Sequence, residues 1–188
     1  MKYFSNVFFE MNKLFENVIK EDLHWYLRQQ DAVDEKLPEC PDLEEKWTEY
    51  GGSYMPDGIR EFNNYPTVSL GWVMFLGMAA AKYWDQDWVR YGRVNIYEKV
   101  RDARGYDYMD EYILEDVLGV EGAERKKLNS LVETCAEKVN HTLRSESIEP
   151  GTKQALEAYI SAIHQMYLMG IAIELKRLGY HMTKMNIG

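Results

Sequence analysis

The sequence predicts an all-α fold, a single domain of six or seven helices around two buried ones. Three observations carry this prediction. Residues 70–81 contain no charged and no strongly polar side chain, and residues 166–173 contain no charge. A helix apolar on every face is buried in a core or in a membrane. Leu128, Leu131, Val132, Cys135, Val139 and Leu143 recur at the three- and four-residue spacing of an amphipathic helix. No run alternates with the period of two that a strand needs, and no Asn-Gly turn joins two such runs. A membrane span takes about 20 predominantly apolar residues. The first apolar run is shorter, bounded by Thr67 and Ser69 before it and by Lys82 and Asp85 after it.

Taken in order, the first helix is expected over residues 6–30. Ser5 is its cap, and Phe4, Phe8, Met11, Phe15, Val18 and Trp25 form its stripe, widened by Val7, Leu14 and Ile19. Residues 31–58 are the least regular part, punctuated by Pro38, Pro41, Gly51, Gly52, Pro56 and Gly58. Asp42 and Glu45 resemble a capping box, which predicts a short helix over 43–50, and a second short helix starts near Asp57. The segment reads as an irregular excursion packed on the surface, or as a lid.

Pro66 suits the first turn of a central helix over about 67–90. Gly71, Gly77 and the run Ala79, Ala80, Ala81 allow a neighbouring helix to approach closely. Trp84, Trp88 and Tyr91 continue its stripe. Gly105 ends the next segment, Asp107 caps a helix running to about 118, and Gly119 closes that helix. A helix over 123–143 follows. Glu149-Pro150-Gly151 is a turn, and the last helix runs over 152–178 to Gly179, packed directly on residues 70–81.

The balance of 22 basic against 31 acidic residues, a net charge of −9, argues against non-specific binding to nucleic acid or anionic membranes, which takes a positive surface. Two cysteines, Cys40 and Cys135, make no disulfide framework and read as free thiols of a reducing compartment. Glu10 interrupts the first apolar run before a signal-peptide core forms. The expectation is a cytoplasmic protein.

Three constellations are candidates for chemistry. Trp84, Asp85 and Trp88 frame an aromatic-walled pocket with a carboxylate, although tryptophans in a core and aspartates paired with nearby arginines account for the same residues. Asp107, Asp110 and Glu111 share one helical face, and hard cations such as Mg²⁺ or Mn²⁺ take carboxylate oxygens. Helix capping explains them equally well. His164 breaks the apolar surface of the last helix as part of a polar ridge with Glu157 and Ser161, lining a pocket or resting as a satisfied core histidine. The Glu21-x-x-His24 pair has no second copy of the kind a di-iron bundle needs. The acidic pattern of all-α nucleotide pyrophosphatases is missing, as are nucleophile elbows and phosphate-cradling glycine loops.

No catalytic constellation is complete. The sequence therefore points to a non-catalytic protein that binds a protein partner, itself included, without a cofactor. Its methionine and aromatic content suits an interface. The alternative is a Mg- or Mn-dependent hydrolase of a phosphorylated small molecule. Asp85, Asp107, Asp110 and Glu111 would be its metal ligands and Arg104 its phosphate clamp.

Overall fold

A computed structural model describes residues 13–146 and 148–182. Among them the secondary structure is helical, with no strand. Eight α-helices are present, slightly more than the periodicity predicts: α1 (Lys13–Gln29), α2 (Pro41–Asn64), α3 (Pro66–Gln86), α4 (Trp88–Tyr91), α5 (Ile96–Arg104), α6 (Met109–Tyr112), α7 (Gly122–Ser145) and α8 (Lys153–Arg177). A 3₁₀ turn (Tyr106–Tyr108) precedes α6 and a π turn (Ile113–Val117) follows it.

The molecule is assembled on α3 and α8, the two apolar helices, which make the most extensive helix pairing. The close approach has a local cause. A Cβ on Gly77 would lie 2.2 Å from the carbonyl oxygen of Tyr167, and one on Gly170 would lie 2.1 Å from that of Met74. Each helix thus presents a glycine to the other's backbone. α7 covers α3 with Leu128, Leu131, Val132, Cys135, Ala136 and Val139 buried, the stripe its spacing predicts. Thr152 caps α8 by accepting from the Ala155 amide at 3.2 Å. Buried hydroxyls tie α2, α3 and α8 together. Ser69 Oγ donates to the Gly58 carbonyl at 2.7 Å and stands 2.6 Å from the Tyr159 hydroxyl. No helix among the described residues is long and apolar enough to cross a membrane.

Four expectations need correction. Residues 41–58 are not irregular: they belong to α2, which carries Gly51, Gly52 and Pro56 in its interior. Each interior glycine costs about 1 kcal/mol and a proline about 3 kcal/mol relative to alanine. Burial outweighs that cost. Trp47, Tyr50, Gly51, Tyr54, Met55 and Gly58 form one buried face, and each large side chain fully removed from water returns about 1.5–3 kcal/mol.

In α1 the buried face is Phe15, Glu16, Ile19, Leu23 and Leu27. Of the predicted stripe, Leu14, Val18 and Trp25 are 81%, 57% and 62% exposed. Phe4, Val7, Phe8 and Met11, with the cap Ser5, lie outside the described residues. The central helix stops at Gln86, because Asp87 turns extended and caps the separate turn α4 by accepting from the Arg90 amide. Asp107 is not a cap. It lies within the 3₁₀ turn, and the helix it was expected to open widens into the π turn before Gly119, whose φ of 64° ends it.

Candidate functional site

The predicted site residues fall on several elements: Trp84 and Asp85 on α3, Trp88 on α4, Arg104 on α5, Asp107 in the 3₁₀ turn, Asp110 and Glu111 on α6 and His164 on α8. Trp84 is half-buried, its ring 6.2 Å from that of Tyr50 and 5.6 Å from that of the more exposed Trp88. Asp85 accepts a hydrogen bond from the Tyr180 hydroxyl. Arg104 is engaged by two carboxylates, Glu115 at 2.9 Å and Asp116 at 2.6 Å, and Glu115 also takes Arg125 at 2.9 Å. Asp107 is exposed. Asp110 is half-buried, and burial raises its carboxyl above the usual range. Glu111 lies beside it, half-buried. Among the described residues no three His, Cys, Asp or Glu side chains are placed to hold a single metal ion.

His164 is different. It is 4% exposed, in the middle of α8. Its Nδ1 donates to Oε1 of Glu16 on α1. Its Nε2 faces Oε2 of Glu44, in the first turn of α2, at 3.0 Å, an ion-pair contact without the direction of a good hydrogen bond. The neighbouring Gln165 donates from Nε2 to the same Glu16 oxygen at 2.7 Å. Trp47 stacks on the imidazole with ring centroids 5.3 Å apart and planes 27° from parallel, a placement that favours a cationic ring. One histidine therefore joins the first, second and last of the described helices.

Burial alone would lower the His164 pKa. The Glu16 and Glu44 carboxylates outweigh it and hold the imidazole at about 9. Conversely, the His164 imidazolium that Glu44 faces holds the Glu44 carboxyl below its ordinary range. At neutral pH two carboxylates face one imidazolium, and among the described residues neither carboxylate pairs with a lysine or arginine. The cluster carries one uncompensated negative charge. Two neighbouring polar atoms, Oε1 of Gln165 and the hydroxyl of Tyr167, are buried without a hydrogen-bond partner among the described residues. An unmet buried polar group costs about 1–3 kcal/mol.

The cluster borders a pocket of about 400 Å³ between α1, α2 and α8. Glu44 and Gln165 belong both to the cluster and to the pocket wall. Leu37, Leu43 and Leu168 supply apolar wall, and Lys20, Glu39 and Cys40 complete the polar lining. The volume falls in the range of about 300–1,000 Å³ typical of small-molecule sites, and so does the pairing of apolar walls with a few polar groups.

Of the residues the sequence singled out, His164 is the one placed at this centre. Glu16, Lys20, Glu44, Trp47 and Gln165 were missed. A signal existed for Glu16, a charged residue next to Phe15 and three before Ile19 on the inward face. Glu44 gave none, since an acid in the first turn of a helix is ordinary. No family model, no curated protein and no solved structure matches this chain.

Proposed function

We propose that this chain is a non-catalytic binding protein whose ligand occupies the pocket between α1, α2 and α8. One observation carries the reading: a Glu16–His164–Glu44 cluster, buried at Glu16 and His164 and open to solvent at Glu44, borders a pocket of ligand size whose wall includes Glu44 and Gln165. A cluster that served only to join helices would gain nothing from bordering a cavity. Replacing such buried ion groups by apolar side chains is often neutral or stabilising. His164 holds Glu44 in place and ionised at the pocket wall, and the ligand meets that carboxylate. The free thiols of Cys40 and Cys135 suit a reducing, cytoplasmic setting.

Cys40 gives the test its readout, because it is exposed and lines the pocket. A panel of amines, carboxylic acids, amino acids, nucleotides and sugar phosphates is scored for thermal stabilisation and for slower alkylation of Cys40. A ligand at 100 times its Kd adds about 2.7 kcal/mol of stability. A hit that protects Cys40 and is lost in Leu37→Trp, which fills the pocket, is expected. A panel in which no compound slows alkylation overturns the reading. So does a hit that Leu37→Trp leaves unchanged.

A further inference from the structure

We propose that the pocket takes a small zwitterion with an apolar side chain, an α-amino acid of the leucine type, its ammonium at Glu44 and its carboxylate at Lys20. This inference rests on the binding reading above and gives it a ligand class. The charged lining is one cation, Lys20, and two carboxylates, Glu39 and Glu44. Lys20 is half-buried and forms no ion pair among the described residues. Two carboxylates, Glu39 and Glu44, line the same pocket without forming an ion pair with it. Lys20 is therefore free to meet an anion that enters.

Glu44 supplies the opposite pole. One of its oxygens is turned to His164, and its side chain is 58% exposed. Behind it the Glu16 carboxylate and the His164 imidazolium balance each other, so the excess negative charge of the cluster is that of Glu44 itself, and a cation arriving there balances it. An ammonium does this.

Leu37, Leu43 and Leu168 add an aliphatic wall. A lining that combines both signs of charge with aliphatic surface suits a zwitterion with an apolar side chain, which describes an amino acid. A nucleotide or sugar phosphate would bring two or more negative charges to a lining whose net charge is already negative.

Calorimetric titration with three probes tests this: L-leucine, 3-methylbutylamine, which lacks the carboxylate, and 4-methylpentanoate, which lacks the ammonium. Leucine is expected to bind, with each analogue at least tenfold weaker. Lys20→Met is expected to lower leucine affinity tenfold or more and to leave the amine unaffected. Glu44→Gln is expected to remove the preference for leucine over the acid. An amine that binds as tightly as leucine, or leucine binding untouched by Lys20→Met, overturns the zwitterion. If the three probes fail while another compound protects Cys40 from alkylation, the ligand class is wrong and the pocket reading stands. If nothing protects Cys40, both fall.

Discussion

His164 ties stability to pH in a direction that can be worked out from its partners. Its folded pKa of about 9 lies above the ordinary value of 6.5 because Glu16 and Glu44 outweigh its burial. The stabilisation is therefore complete below pH ~6.5 and is lost as pH rises through about 9. A shift of that size corresponds to roughly 3 kcal/mol. Cys135 acts in a neighbouring window. Burial pushes its thiol up to about 12, so above pH ~8.5 the unfolded chain ionises while the folded one does not, and stability falls again. Urea unfolding of Cys135→Ala between pH 6 and 9 isolates the histidine. We expect a declining stability that becomes flat when His164→Gln is added. A flat profile in Cys135→Ala alone would show that the two carboxylates do not hold the proton.

Among the elements, the glycines of two helices should respond to alanine with opposite sign. Gly52 sits inside α2 with no atom within 4 Å of where a Cβ would stand, so Gly52→Ala meets nothing and gains helix propensity of about 1 kcal/mol. Gly77→Ala gains the same propensity but drives its methyl into the α8 backbone at Tyr167, and overpacking of this kind costs about 1–3 kcal/mol or more. Chemical denaturation of the two variants reads the signs directly. Equal shifts would mean that α3 and α8 are not in backbone contact. The contrast also explains what was legible. α3, α7 and α8 were readable because their apolar patterns are those of two buried helices and one amphipathic helix. α2 was not, because Gly51, Gly52 and Pro56 signal a break that only the burial of Trp47, Tyr50 and Tyr54 overrides. In α1 both Phe15-Ile19-Leu23 and Leu14-Val18-Trp25 fit a helical period, and periodicity alone cannot choose between two apolar faces.

For the whole molecule, one continuous apolar core runs through residues of α1, α2, α3, α5, α7 and α8. The chain should therefore unfold in a single step. Far-UV circular dichroism and tryptophan fluorescence are expected to give superimposable urea transitions. An earlier fluorescence transition would show that one helix leaves before the rest. The candidate site belongs to this scale as well. His164 was visible as a polar residue on an apolar helix, but its partner Glu16 is 148 positions away, and no local pattern announces such a pairing. Only the mutual docking of three helices creates the cluster. That arrangement also sets an order of events at the ribosome. α3 emerges well before α8, its principal cover. Until then the nascent chain displays the apolar face of α3 to the cell. Translation halted before Lys153 leaves a polypeptide that chaperones and proteases will recognise as unfinished.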